Sequence, residues 1–324
     1  MPHSPGELRC GRLIREINMN IEIARINQGI ENDPKGYVSA VNEDYLYKLT
    51  KIVNEIADSR NEKPVILLSG PSGSGKTTTA MMIEKLLDDM GHETHTLSMD
   101  NWFCPLTEAE KALAAEGKMD LESPLRVDSD LLNRQIEDIS ACREIELPKY
   151  NFKTSTRTGS GKMFRRGKGE IVIFEGIHAL NPQVITVPDS MISKIYVSVR
   201  TRISGEGILL HPSRVRLMRR MIRDKNFRKR SLRETMNMFH SVEAGENKYI
   251  MPYKYRSDFD VDTFMAYELS AYRDELLPQL MELSDVPEIR ECIEVLEQLS
   301  PIDRADITPD SLICEFIGNG QFKY

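Results

Sequence analysis

Residues 70–77 combine glycines, a lysine and a threonine in a spacing that suits phosphate binding. They read GPSGSGKT and match the pattern G-x-x-x-x-G-K-[ST]. The glycines let successive backbone N–H groups turn inward, where they and the N-terminus of a following helix bind phosphate oxygens. Lys76 would add positive charge toward the β- and γ-phosphates, and the Thr77 hydroxyl could ligate Mg²⁺. A glycine-rich turn without a ligand has the same composition, but an apolar run before it and a helical pattern after it favour a nucleoside triphosphate site.

The same pattern predicts which residues contact the nucleotide. They are Gly70, Ser72, Gly73, Ser74, Gly75, Lys76, Thr77 and Thr78. It does not specify an acceptor, because motors, GTPases, transporters and kinases all share this loop.

Two carboxylates follow apolar runs of strand length. Asp100 comes just after the run that ends at Ser98, where open α/β sheets place their ligands. A carboxylate there could take the proton of an acceptor hydroxyl late in transfer, although Asp100 could equally be a helix cap. Glu175 ends the run 171–174 and is predicted to position Mg²⁺ with Thr77 and Asp100.

A strongly basic stretch lies between Arg214 and Arg233, with ten lysines or arginines and a single acid, Asp224. On a helix, Arg219, Arg220 and Arg223 share a face. Guanidinium groups match phosphate geometry, so a lid carrying them could stabilise charge in phosphoryl transfer and exclude water. A solvated basic face and an RNA-binding surface are the alternatives.

These groups need a scaffold of alternating strands and helices. Strands are predicted at 65–68, 93–98, 171–174, 195–199 and 258–264, and a hairpin pairs 144–152 with 162–166 across the glycines at 159–161. Helices are predicted at 43–59, 77–90, 111–116, 129–139, 266–283 and 287–299, with one long basic helix at 213–240. The alternation predicts an α/β fold of the P-loop NTPase type, in which helices cover a parallel sheet in three layers.

Composition limits the classes of protein that fit. The 324 residues are 40% hydrophobic and 29% charged, which is ordinary for a globular protein with a sizeable core. A net charge of −7 makes nucleic-acid binding an unfavoured role. Five widely spaced cysteines predict neither a disulfide framework nor a zinc site, and no signal peptide or membrane anchor is recognised. We therefore expect a cytoplasmic protein, and a homo-oligomer is possible.

Together these motifs resemble the uridine kinase and phosphoribulokinase family over roughly residues 62–275. The segments that carry the resemblance are SMDNWF at 98–103, PKYNF at 148–152, FEG at 174–176 and RRMIRD at 219–224. EGIHALNP at 175–182 and GENKYI at 245–250 are similar to a bacterial uridine kinase-like subgroup. Its members often carry an N-terminal TGS region, which we expect to be absent here, because only about sixty residues precede the matching part.

The resemblance implies an ATP- and Mg²⁺-dependent kinase and assigns residues to its site. It makes Asp100 the catalytic base and Glu175 a Mg²⁺ ligand, while Lys76, Arg220, Arg223 and Arg228 act on the ATP phosphates. It places Glu122, Tyr150, Ser155 and Arg230 with Asp100 on the acceptor side. His178 is expected to be structural.

The acceptor side departs from the family pattern. Ser155 stands where uridine–cytidine kinases have a base-reading histidine, and Glu122 stands where they have an aspartate that holds the ribose hydroxyls. A nucleoside 5′-hydroxyl is the expected acceptor. Another sugar, sugar phosphate or pantothenate-like polyol is the first alternative, and a nucleotide-dependent RNA-binding or regulatory module is the second.

The expected organisation is an N-terminal helical extension at 1–60, a P-loop kinase core at 61–275 and a C-terminal helical tail at 276–324. The core would carry a lid at about 211–240. A small-molecule substrate is the expected partner.

Overall fold

The computed structural model describes residues 19–116 and 118–323, so the first eighteen residues of the predicted N-terminal extension lie outside the description. In chain order the strands are β1 (Asn20–Glu22), β2 (Val65–Ser69), β3 (Thr94–Ser98), β4 (Ile145–Asn151), β5 (Thr156–Phe164), β6 (Ile171–Glu175), β7 (Ile192–Ser198), β8 (Arg202–Gly205), β9 (Ile208–Leu210) and β10 (Phe259–Asp262). The α-helices are α1 (Ile23–Asn32), α2 (Pro34–Ser59), α3 (Lys76–Asp89), α4 (Glu108–Ala115), α5 (Ser129–Ser140), α6 (Pro212–Arg228), α7 (Leu232–Tyr249), α8 (Glu268–Met281), α9 (Pro287–Gln298) and α10 (Cys314–Ile317). Within these ranges no helix is both long and apolar enough to cross a bilayer.

The central sheet has five parallel strands in the order β10-β7-β2-β6-β3. Alternate residues of β2 serve two cores: Ile66 and Leu68 pack toward α2, α3 and α6, whereas Val65 and Leu67 pack toward Trp102 and α5. Every residue of β2 and β6 is buried, as expected for strands covered on both faces. The predicted three-layer α/β fold is confirmed.

The carboxyl ends of β2, β6 and β3 lie side by side at one edge of this sheet. Glu175 at the end of β6 pairs in register with Leu68 of β2 and with Ser98 of β3. The segments that follow β2 and β3, which carry Lys76 and Asp100, therefore leave the sheet beside Glu175.

The turn of the β4–β5 hairpin lies earlier than the sequence predicts, because β5 begins at Thr156, six residues before the predicted start at 162. Asn151 pairs with Thr156, so the turn is formed by residues 152–155 and not by the glycines at 159–161. The Asn151 side chain accepts a hydrogen bond from the Lys153 amide at 2.9 Å and so stabilises the turn. The glycines instead face the irregularity near Pro148, where the register shifts because proline cannot donate to the ladder.

The single basic helix predicted at 213–240 is also wrong, because two helices meet near residue 230. Lys229 ends α6 in the left-handed conformation with φ of 54°, and its amide and that of Arg230 both donate to the carbonyl of Asp224. Ser231 then caps α7 in a capping box with Glu234. The S-x-x-E pattern at 231–234 is the sequence signal for this second start.

A second sheet, β1-β8-β9, was not predicted, and it joins the N-terminal extension to the segment that follows β7. β1 pairs in parallel with β8, and α1 follows directly. The Asn27 side chain donates to the Gln298 carbonyl at 2.7 Å and accepts from the Ser300 amide at 2.8 Å. The extensions before and after the main sheet therefore pack against each other.

Candidate active site

The loop at 70–75 connects β2 to α3 with the backbone geometry of an anion cradle. Gly73 and Gly75 have φ of 75° and 80°, which a side chain would strain, and Gly75 is the N-cap of α3. The amides of the first turn of α3 have no carbonyl to bond within the helix, and the helix dipole favours an anion there. The Lys76 ammonium donates to the Pro71 carbonyl at 3.2 Å, so it folds back over the loop. The Ser74 hydroxyl is buried and has no hydrogen-bond partner among the described residues.

Three carboxylates lie within electrostatic reach of Lys76. Burial raises the pKa of Asp100, and the charges of Lys76 and Arg228 act against that rise. Burial raises the pKa of Glu175 to about 7, which Lys76 opposes and Asp100 reinforces. Burial also raises the pKa of Glu122, opposed by Arg220 and Lys76. The charge of Lys76 acts on all three acids, and the strand register brings the segments that carry Asp100 and Glu175 to the same edge of the sheet.

This acidic edge fits a hard divalent cation. The charge of Asp100 raises the pKa of Glu175, so these two carboxylates repel each other, and the charge of Lys76 acts on both. With the nearby Thr77 hydroxyl they offer only oxygen donors, the set that suits Mg²⁺. A bound cation would lower the pKa of both carboxyl groups and allow them to ionise together.

The arginines of α6 form two groups: one group bonds to the backbone of the phosphate loop, and the other remains available to bind a phosphate. Arg219 is fully buried, donates to the Gly73 carbonyl at 3.2 Å and forms a two-pronged pair with Glu268 at 2.6 and 2.8 Å. Arg216 donates to the Ser72 carbonyl at 3.3 Å and pairs with Glu246 at 2.6 Å. These two guanidiniums fix α6 over the loop.

Arg220 and Arg223, the predicted catalytic arginines, lack a full set of anionic partners. Arg220 donates to the Ser72 hydroxyl, and burial together with the neighbouring Arg223 lowers its pKa to about 10. The Nε atoms of both have no hydrogen-bond partner within residues 19–116 and 118–323. A buried pair of cations at a phosphate loop is relieved by an incoming anion.

The other two predicted lid residues, Arg228 and Arg230, both contact the carboxylate of Asp224. Arg228 donates to Asp224 at 2.9 Å, and Arg230 lies 3.6 Å from the other oxygen of that carboxylate. Both side chains are partly exposed, at 46% and 38%. Asp224 therefore fixes the end of α6 and the approach of Arg228 to the charge of Asp100.

The predicted acceptor residues come from separate loops. Glu122 lies against α7, where a Cβ on Gly245 would be 2.4 Å from the Glu122 Cβ, so only glycine permits this approach. The Tyr150 hydroxyl accepts from Arg126 at 3.1 Å, and its ring meets Phe103 and Phe152 edge-on. Ser155 lies in the hairpin turn with φ of 51°, and its carbonyl accepts from the Leu106 amide at 2.9 Å.

Three groups at the site were not assigned to it from the sequence. The Glu246–Arg216 pair and the carboxylate of Glu315, which contacts Thr78, come from segments far from the loop. His178 is buried, and burial lowers its pKa to about 4, while the backbone of Glu122 opposes that shift. Local sequence patterns carry no signal for such long-range contacts.

Comparison with known proteins identifies the family of the chain. The model of the "Phosphoribulokinase / Uridine kinase family" matches residues 65–270. Uridine kinases of Staphylococcus haemolyticus (strain JCSC1435) and Staphylococcus aureus (strain JH9) are each 29% identical over 197 residues, covering 60% of this chain and 84% of theirs. The crystal structure of a putative fructose transport system kinase from Silicibacter sp. TM1040 superposes with a TM-score of 0.50 at 13% identity, over 66% of this chain and 98% of that one, and so is similar in fold. With a match over most of its length, the chain belongs to the phosphoribulokinase/uridine kinase family and is a P-loop kinase of a small-molecule substrate.

Proposed function

We propose that the protein transfers the γ-phosphoryl group of Mg·ATP to a hydroxyl of a nucleoside, the 5′-hydroxyl being the expected one. The observation that carries this proposal is the edge of the sheet at which the segments that carry Lys76, Asp100 and Glu175 meet, with Asp100, Glu122 and Glu175 all within the electrostatic range of Lys76. One acid can act as base, one can hold a cation, and one remains for the acceptor.

On the phosphate side, some charged groups act on the nucleotide and others only position α6. Amides of 73–78 and the Lys76 ammonium bind the phosphate oxygens, and Arg220 and Arg223 stabilise the charge that spreads over the transferred group. Mg²⁺, when bound by Thr77, Glu175 and Asp100, would supply additional charge neutralisation. Arg216 and Arg219 position α6 and do not themselves contact the reacting atoms.

Asp100 is the proposed base. An acceptor hydroxyl loses its proton late in transfer, and a carboxylate at hydrogen-bond distance accepts it. The Lys76 and Arg228 charges oppose the burial that raises the pKa of Asp100, and so favour the ionised form that a base needs.

Glu122 is the proposed acceptor-binding acid. A carboxylate can accept hydrogen bonds from two neighbouring hydroxyls, as on a ribose ring. Its closeness to Lys76 and Arg220 sets those hydroxyls beside the transferred phosphoryl group. The 29%-identical relatives are uridine kinases, which supports a nucleoside as the acceptor.

A second acceptor class remains a proposal of its own, namely another sugar or polyol. Ser155 lies in an exposed turn at the position where the family resemblance expects a base-reading histidine. A site without that contact discriminates less between bases and non-nucleosides.

A transfer assay separates the two classes. The full chain is incubated with Mg·ATP and, one at a time, with the common nucleosides, free pentoses and hexoses, and sugar phosphates. ADP release and the mass of the product are measured. A nucleoside monophosphate as the best product supports the proposal, whereas turnover with sugars and none with any nucleoside overturns it in favour of the second class.

A further inference from the structure

The carboxyl-terminal segment, residues 311–318, lies directly against the phosphate loop. A Cβ on Gly75 would lie 3.0 Å from a methyl carbon of Leu312, and the Arg219 guanidinium lies 5.1 Å from the Phe316 ring centre. Leu312 and Phe316 are fully buried. Tyr267 anchors the start of the segment through a 2.6 Å hydrogen bond to Ser311. The segment is thus a packed part of the nucleotide side.

Glu315 in this segment binds the first turn of α3. Its carboxylate oxygen accepts from the Thr78 hydroxyl at 2.7 Å and from the Thr78 amide at 3.3 Å. Thr78 is the third residue of α3, and its amide is one of the donors that the helix leaves for an anion. The Glu315 carboxylate therefore accepts hydrogen bonds from the same donors that would bind a nucleotide phosphate.

The other oxygen of the same carboxylate faces the lid. Arg223 lies 3.8 Å from it, and the Glu315 side chain is only 10% exposed. The Nε atom of Arg223 has no hydrogen-bond partner in the described chain. Glu315 thus has the partners expected for a phosphate group: a hydroxyl and amide at the helix start on one side, and a lid guanidinium on the other.

We propose that Glu315 is an autoinhibitory latch, an internal anion that nucleotide phosphate must displace before the site is complete. The proposal rests on the nucleotide binding in the proposed function, but not on the identity of the acceptor. Displacement would release the hydroxyl and amide of Thr78 from Glu315 and leave Arg223 to act on the transferred group in one step. The segment around Glu315 would then shift while Ser311, held by Tyr267, remains in place.

Nucleotide binding to Glu315→Gln tests the latch without any acceptor. Mg·ADP is titrated into the full-length variant and wild type by calorimetry, with Asp310→Asn as the matched control, because it removes the same charge from an exposed position five residues away. If the latch is closed in about nine molecules of ten, its loss tightens binding about tenfold. Asp310→Asn should bind as wild type does.

Other outcomes separate this idea from the proposed function. Equal or weaker binding by Glu315→Gln overturns the latch and leaves the kinase proposal standing. Tighter binding without turnover of any acceptor supports the latch and overturns the proposed transfer. No Mg·ADP binding by either protein overturns both.

Hydrogen–deuterium exchange of the wild-type protein gives a test that needs no variant. Adding Mg·ADP should slow exchange of amides in 70–78 and speed exchange of amides in 312–317. Slower exchange in both segments would overturn the latch, because it would make the tail a part of the occupied site.

Discussion

The nucleotide side and the acceptor side of this site are built in different ways. The nucleotide side uses one continuous segment, 70–78, whose backbone is fixed by Gly73, Gly75 and two arginines of α6, Arg216 and Arg219. The acceptor side collects Glu122 from a loop, Tyr150 from the end of β4 and Ser155 from the hairpin turn. Phosphate recognition is thus held by backbone geometry, whereas acceptor recognition depends on side chains whose loops can vary at little cost to the fold.

The largest expected effect lies at the boundary between the two sides. Asp100→Asn keeps the shape of the side chain but removes the base, and kcat should fall about 10²- to 10⁴-fold with the best acceptor. The dissociation constant for Mg·ADP should change little in comparison. Asp58→Asn, on an exposed position of α2, is the control and should leave kcat unchanged. If Asp100→Asn lowered kcat by less than tenfold, Asp100 would not be the catalytic base, and a capping role would explain its position.

Two neighbouring arginines separate stability from catalysis on the nucleotide side. Arg219→Met leaves Glu268 buried without its partner, so the free energy of unfolding should fall by about 3–5 kcal/mol. Arg220→Met should instead lower kcat with a smaller loss of stability, because Arg220 has no such buried acid. Chemical denaturation and transfer assays measure the two effects.

The control for that pair is Arg233→Met, whose guanidinium is about half exposed and lies 3.7 Å from Asp285. It should change the free energy of unfolding by less than about 0.5 kcal/mol. Equal destabilisation by Arg219→Met and Arg220→Met would contradict the division of α6 into holding and reacting arginines.

The raised pKa of Glu175 predicts how stability depends on pH in the absence of Mg²⁺. Because burial raises this pKa from 4.5 to about 7, the folded state holds the proton more tightly than the unfolded state. Stability from this group is therefore present below about pH 4.5 and is lost as pH rises through about 7. The loss is at most about 3 kcal/mol.

Glu175→Gln should abolish that dependence. Its free energy of unfolding relative to wild type, measured in a chelator, should rise between about pH 4.5 and 7 and be constant outside that window. Glu62→Gln, at an exposed position before β2, should track wild type at every pH. A difference that does not vary with pH would show that Glu175 ionises freely in the fold.

The sequence predicts the residues that lie close to strand ends, but it does not predict contacts between segments that are far apart in the chain. Lys76, Asp100 and Glu175 lie within a few residues of strand ends, so local patterns predict them and the sheet that aligns them. The break at 229–231 was missed although Ser231 and Glu234 form a readable cap, because the run of basic residues looked continuous. Glu315 contacts Thr78 across 237 positions, and the β1–β8 pairing is equally remote in sequence, so no local pattern reveals either. Such contacts depend on how the extensions pack around the core.

The smallest expected effect tests the acceptor side alone. Glu122→Gln keeps hydrogen-bonding capacity but loses the charge, and charge-assisted bonds to hydroxyls exceed neutral ones by roughly 1–2 kcal/mol. The KM for the acceptor should therefore rise about tenfold, with a smaller change in kcat and none in the KM for ATP. Glu144→Gln, an exposed glutamate before β4, is the matched control and should behave as wild type. An equal rise in the KM for ATP and in the KM for the acceptor would contradict this assignment. Glu122, whose carboxyl group is influenced by Lys76 and Arg220, would then belong to the nucleotide side as well as to the acceptor side.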